Sequence, residues 1–339
     1  MRIPKSFLVL ILVMLAACGS AAGESKDPLA ARIERCAAQE CKPAADALRD
    51  GRRLLALQRL AAVWTDVVSQ EYLSERTAAQ RNDQAAFEAE WARMGQVLRD
   101  GLGTPSPTAF EGVRPALVRA VGETSLPPLK IYYDASLEYG RNTQPQSGLY
   151  YLGAAQAQRE LGAFVRTLSE PATGHEPPVR ALGAELDALE AELLAVYRPP
   201  ASIDNHPDFI ALSSTVKEAR ELDAAGLRYG ALLRYLQAAR HLALLAGKPS
   251  LDADTLTRKL REYEERLSAG DVDHSIGRMF LEAAQASLAQ TAPGARPVSA
   301  EVALGDVLPR YFAALGPAPP APPQVKPQVT VTLVRWPYT

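Results

Sequence analysis

Histidine and cysteine are scarce in this chain, with four and three residues among 339. None of the histidines stands at zinc-ligand spacing such as HExxH, and no free cysteine is left over to complete a site. His175 and His206 lie in proline-rich stretches, His241 in a helical one and His274 near a helix start. Each is expected as a surface or capping residue. The chain also lacks a GxSxG elbow, a Walker loop and a cytochrome CxxCH, so these local signatures of hydrolases, nucleotide binders and haem proteins are missing. No metal or cofactor is expected. Charge of one sign is not in excess: 37 Lys and Arg face 39 Asp and Glu, which argues against a dedicated nucleic-acid binder. Aromatics make up only 6% of the residues and β-branched aliphatics are sparse over most of the length, which disfavours sheet; abundant alanine favours helix. What is present is a 47% hydrophobic content, enough for a sizeable core and too much for global disorder. The length allows one long helical array or two smaller domains.

The apolar run Phe7–Ala17 is eleven residues long. As a helix it rises roughly 16 Å, about half a bilayer core, so it is too short for a full span. Arg2 and Lys5 precede it and small residues end it, the pattern of a secretory signal. Leu15-Ala16-Ala17-Cys18-Gly19 resembles the lipobox of bacterial lipoproteins. The resemblance implies removal of residues 1–17 and acylation of Cys18, and several buried chains at ~0.8 kcal/mol per CH₂ hold a protein on a membrane essentially permanently. Gly19 stands where enteric inner-membrane lipoproteins carry Asp, so a periplasmic protein on the outer membrane is expected in preference to the inner one. The processed chain has 35 basic and 39 acidic residues, a formal charge of −4. Residues 18–27 are small and polar after the cysteine, suited to a tether.

Export implies an oxidising compartment for the remaining Cys36 and Cys41. Five residues apart on an unbroken helix, their Cα atoms would be about 8 Å apart and their side chains would diverge, outside the ~4.4–6.8 Å window for a bridge. A Cys36–Cys41 disulfide therefore requires the helix to stop between them, and Pro43 offers the break. Beyond it, apolar residues recur at three- and four-residue spacing. The stripes run from Leu48 to Val67, Phe87 to Leu98, Leu129 to Gly140, Leu149 to Leu168, Val179 to Tyr197, Phe209 to Leu222, Leu227 to Leu245, Leu256 to Leu267, Ile276 to Leu288 and Val302 to Leu315. Separators rich in Pro and Gly, such as GLGTPSPT, EPATGHEPP and YRPPASIDNHP, make neighbours antiparallel. The expected fold is all-α, stacked helical hairpins over 28–316, with a possible division near 199–207.

Within that body Gly226, Ala231, Tyr235 and Ala238 stand at the steps of the second helix of a tetratricopeptide unit, and the segment resembles that family. The resemblance implies closely paired helices with an aromatic filling the groove between them. There is no clean 34-residue period, and ordinary packing of Ala-rich helices explains the same residues. Six prolines in 316–327 then impose an extended polyproline spacer, leading into 328–339. There Val329, Val331 and Leu333 alternate with Thr, the clearest strand signal in the chain. A lone strand needs a ladder partner. It folds back on its own body, adds to a partner protein with Trp336 and Tyr338 as anchors, or stays a disordered tail.

Asp271, Asp273, Ser275 and Glu282 fall at positions 1, 3, 5 and 12 of a calcium loop, but Ile276 occupies the sixth position, where the sharp turn requires glycine. Asp273 or Ser275 reads instead as the cap of the following helix, with Glu282 solvated on it. Asp134 and Glu138, one turn apart, read as a solvated helix face. The densest binding-type chemistry lies in Tyr132, Tyr133, Tyr139, Tyr150 and Tyr151 with Arg141 and Asn142, a candidate groove lining. Together these features point to a lipid-anchored, non-enzymatic interaction or scaffold module with an envelope protein as partner. The alternatives are an exported enzyme built from dispersed carboxylates and tyrosines, and a carrier of a small apolar ligand.

Overall fold

The structure, a computed structural model, describes residues 27–316 apart from 37–38, 172–173, 199–202, 248 and 293. Cys18 with its lipobox, the proline-rich linker and the expected strand from Val329 through Leu333 to Trp336 and Tyr338 lie outside the described residues. Those described form an all-α fold, with two isolated bridges, His175 to Val272 and Val179 to Leu315, as the only β-type pairing.

Helix α1 (Pro28–Arg35) starts at Asp27, whose carboxylate accepts from the Leu29 N–H at 3.1 Å, with Pro28 pre-set for the first turn. It stops at Cys36. A short 3₁₀ turn (Gln39–Cys41) intervenes before α2 (Lys42–Arg49), and this break lets Cys36 pair with Cys41 across a Cα–Cα distance of 6.2 Å. The stripe expected from Leu48 to Val67 is two helices. Gly51 adopts φ 76°, a left-handed turn between α2 and α3 (Arg53–Ser74).

A second pair of hairpins follows: α4 (Ala78–Asn82), α5 (Gln84–Val97), then α7 (Leu126–Asn142) and α8 (Pro145–Thr167). The α7–α8 approach is very close because two glycines meet: a Cβ on Gly148 would lie 2.6 Å from the Gly140 Cα. Phe87 of α5 fills the space beside them. This region builds a satellite core from Tyr72, Phe87, Met94, Leu129, Tyr133 and Leu149. The main core is one continuous cluster running from Leu29 to Ala314, with members on both sides of 199–207. It is completed by α9 (Gly183–Val196), α10 (His206–Ala224), α11 (Arg228–Leu245), α12 (Ala253–Ser268), α13 (Ser275–Gln290), α14 (Val298–Val302), a π-helical turn (Ala303–Val307) and α15 (Leu308–Ala313).

At the centre lies α6 (Ala116–Thr124), outside every stripe that the periodicity marks. Apart from Arg119, all its residues are buried, and it touches α3, α7, α8, α10, α11 and α13. Its apolar residues keep helical spacing, but over nine residues only, too short a run to stand out as a stripe.

The starts of α3, α6 and α11 share an unusual feature. Their N-cap residues are Arg52, Pro115 and Leu227, none of which caps its own helix. Acceptors from other elements serve instead. Glu282 of α13 accepts from the Leu55 N–H at 2.8 Å. Asp273 accepts from the Ala116 N–H, and Ser275 Oγ from the Leu117 N–H at 2.9 Å. Glu123 of α6, fully buried, accepts from the Gly230 N–H at 2.7 Å and from Arg119 Nε at 2.8 Å. Burial pushes the Glu123 and Glu282 carboxyls above the usual range, against these donors. Glu282, expected on solvent, is thus a structural cap. Asp273 also takes the Ser275 N–H at 3.0 Å, the local cap expected of it. His274, expected on the surface or as a cap, is buried with Nδ1 2.9 Å from the Tyr311 hydroxyl.

Candidate functional site

The three cross-capped helices frame a groove. Its floor is α6, through Val121 and Thr124, with Gln158 and Leu161 of α8. One wall is α3, the other α10 and α11. This stretch has a volume of about 630 Å³. It continues past Gln58, Gln237 and Arg240 into a second concavity of about 460 Å³ between α3, α11 and α13, over Leu55, Met279 and Phe280.

Two facing polar stripes line it. On α3, Gln58, Arg59, Thr65 and Asp66 fall on one side of a helix whose other face carries Leu57, Leu60, Trp64 and Val68 into the core. On α11, Arg234, Gln237, Arg240 and His241 interrupt a stretch that from Ala231 onward is otherwise Ala, Leu and buried Tyr235. In the wider stretch the polar groups are tied to one another. Arg234 Nε lies 2.9 Å from Glu218, Tyr150 donates to Asp66 at 2.8 Å, Gln158 donates to Thr65 at 2.7 Å, and His241 Nε2 is 3.1 Å from Asp208. Burial pushes the Glu218 carboxyl up and the Tyr132 phenol up.

The tyrosine segment divides. Tyr132 lines the groove, and Tyr150 is bonded to its Asp66. Tyr151 lies 6.3 Å from the Tyr132 ring and stacks on the exposed Tyr139 at 4.7 Å, so Tyr132, Tyr139, Tyr150 and Tyr151 form one aromatic ladder at the mouth. Tyr133 faces the other way, stacked on Trp91 at 5.1 Å in the satellite core. Consecutive helical residues diverge by about 100°, so Tyr132 and Tyr133 cannot share a face. Arg141 is exposed and lies 3.6 Å from Glu88, and Asn142 is exposed on the last turn of α7; neither lines the groove. Asp134 is paired with Lys130 on the exposed face of the helix.

The residues that the sequence reading passed over are Arg59, Arg240, Glu218 and Arg234. Their signal was the polar interruption of α11, three charged or imidazole side chains at 234, 240 and 241 in a run of Ala and Leu. Among the described residues no group of three His, Cys, Asp or Glu is placed to hold a metal, and no helix is long and apolar enough to cross a membrane. No protein-family model, curated protein or solved structure matches this chain.

Proposed function

We propose that this protein is a non-enzymatic interaction module of the bacterial cell envelope. Acylated Cys18 holds it on the periplasmic side of a membrane, the outer in preference to the inner, and its partner seats in the groove between α3 and α11. The observation that carries this reading is how the groove's polar groups are engaged. Glu218 with Arg234, Asp66 with Tyr150 and His241 with Asp208 are paired in place rather than converging on one reacting point. Polar groups paired in place around an open, elongated surface suit recognition. The Tyr132–Tyr151–Tyr139 ladder supplies rigid amphipathic rings at the mouth, side chains that anchor interfaces at low entropic cost. The tetratricopeptide-like segment, with Ala231, Tyr235 and Ala238 buried in α11, belongs to the same proposal, as does strand addition by 328–339. An exported enzyme remains the second reading, favoured by one observation: the raised carboxyl of Glu218 lies near Tyr132 inside the groove.

The test is photo-crosslinking in intact cells. A benzophenone side chain at Gln58 is expected to yield a discrete adduct with one envelope protein. Ala62 lines the groove and is exposed, so Ala62→Trp fills it without entering the core. That variant is expected to abolish the adduct while keeping the melt. An adduct undiminished by Ala62→Trp would overturn the groove as the partner site.

A further inference from the structure

The inner end of the groove differs electrically from the rest. Two arginines, Arg59 of α3 and Arg240 of α11, line the 460 Å³ concavity, and no Asp or Glu is among its lining residues. Elsewhere in the fold arginines are characteristically matched: Arg76 and Arg93 to Glu90, Arg220 to Asp187 and Glu190, Arg310 to Asp306 and Glu192. Arg240 makes no hydrogen bond or ion pair with any described residue, although it is largely buried. Arg59 donates one N–H to the Pro43 carbonyl at 2.9 Å, which fixes the guanidinium and leaves its other donors free. Burial and the positive Arg59 beside it both push Arg240 below its ordinary pKa, the signature of a cation held without a counter-charge.

Glu282 is the nearest acid by sequence to the lining residues of α13, and its carboxylate is spent on the Leu55 N–H. Asp46 and Asp50 act on Arg59 through charge, but neither lines the concavity, and they are paired with Arg49 and Arg52. Outside the described residues the only acidic side chain is Glu24. The surroundings complete a donor set. Gln237 gives its amide oxygen to Arg234 Nη1 at 3.1 Å, which leaves its NH₂ for another acceptor. Gln58, Ser287 and Thr291 line the same space.

We propose that this concavity binds an oxyanion, a phosphate or carboxylate group carried by the molecule that occupies the groove, clamped between Arg59 and Arg240. Arginine's planar fork matches both groups in bidentate geometry, and a half-buried site strengthens the pairing. Two like charges sharing a concavity destabilise it when empty, and one anion relieves both. The inference rests on the groove being a binding surface and adds the chemistry of what enters it.

The test uses the full chain in non-ionic detergent at low ionic strength. Calorimetric titrations are run with inorganic phosphate, succinate, dihexanoyl-phosphatidylglycerol and, as a zwitterionic control, dihexanoyl-phosphatidylcholine. At least one anion is expected to bind saturably and to weaken as salt rises. Arg240→Gln should weaken it at least tenfold and Arg59→Gln several-fold. Arg240→Lys should restore part of it, and Arg258→Gln, on the exposed face of α12, should leave it unchanged. Binding of the anionic lipid alone assigns the group to a headgroup; binding of phosphate or succinate alone assigns it to a soluble ligand. Circular dichroism confirms that each variant is folded. Equal binding by the parent and Arg240→Gln, or no binding of any anion, would overturn the site. The benzophenone adduct at Gln58 does not depend on these titrations, so its survival alongside their failure would remove the oxyanion and keep the groove.

Discussion

Glu90 accepts hydrogen bonds from three side chains at once: Tyr72, Arg76 Nη2 at 2.6 Å and Arg93 Nε at 2.7 Å. The Arg93 hydrogen bond first, with Tyr72 and the charge of Arg76 behind it, holds its carboxyl down at about 2, against an ordinary 4.5. A carboxyl lowered in the folded state stabilises the protein above its unfolded pKa and loses that contribution as pH falls through the folded one. Glu90→Gln is therefore expected to cost about 1–2 kcal/mol at pH 7, screening by solvent included, and progressively less from pH 4.5 towards pH 2. Denaturant melts of both proteins across that range check it, and a pH-independent difference would show that packing rather than charge is what Gln disturbs. None of this was visible in the sequence, because Tyr72 and Glu90 sit on different helices 18 residues apart. The same blindness explains Glu282 and His274. Their types fit a solvated helix face and a cap, and only tertiary proximity to Leu55 and Tyr311 shows otherwise. Cys36 and Cys41 were legible because both the obstacle, helix geometry, and its removal near Pro43 are local.

Helices α3, α6 and α11 begin without caps of their own, and each would expose unpaired N–H groups beside the core. The acceptors supplied by α13 and α6 turn three helix starts into crosslinks between elements, and these are the elements that frame the groove. Gly230 makes one of them possible: a Cβ there would lie 2.8 Å from the Glu123 Cβ. Glu282→Ala is expected to lower stability by about 1–3 kcal/mol, since it removes a cap and leaves the Leu55 N–H without its acceptor. Glu282→Gln retains an acceptor oxygen, so it should lose clearly less in the same urea melts. An equal loss in both would mean that charge at the start of α3 matters more than the hydrogen bond. At this scale the periodic stripes were legible wherever a helix has one wet face, as in α12 with Leu256, Tyr263 and Leu267 buried. They failed at α6, where Leu117, Val118, Ala120 and Val121 keep helical spacing over only nine residues, and where Glu123, which by type reads as a wet face, is buried by its neighbours. The groove was half legible for the same reason. Tyr132 announces itself by type, whereas Arg59 and Arg240 look like ordinary solvated charges until α3 and α11 face each other.

On the scale of the whole molecule, the processed N-terminus and the folded body carry separable properties. Residues 19–26 hold no hydrophobic stretch, so membrane attachment is expected to reside in Cys18 alone. Cys18→Ser should move the protein from the membrane pellet to the soluble fraction, and its persistence there after a carbonate wash would defeat the acyl anchor. The opposite end tests where the body stops. Gly316 N–H donates to the Pro178 carbonyl at 2.8 Å, Arg180 N–H to Ala314 at 3.2 Å, and the Arg180 guanidinium to the Ala313 carbonyl at 2.9 and 3.1 Å. Val179 bridges Leu315 beside them. These contacts pin the last described turn onto the segment before α9, and the main core already closes at Tyr311 and Ala314, both fully buried. Every one of them lies at or before residue 316. Removing 317–339 therefore leaves the core and its terminal clasp intact, and the truncated protein is expected to melt cooperatively within a few degrees of the parent. A broad or lost transition would place the Val329–Leu333 strand inside the folding unit rather than at the disposal of a partner. If the melt survives and the Gln58 adduct is lost, the segment acts in recruitment, and the groove and the strand then serve one binding event.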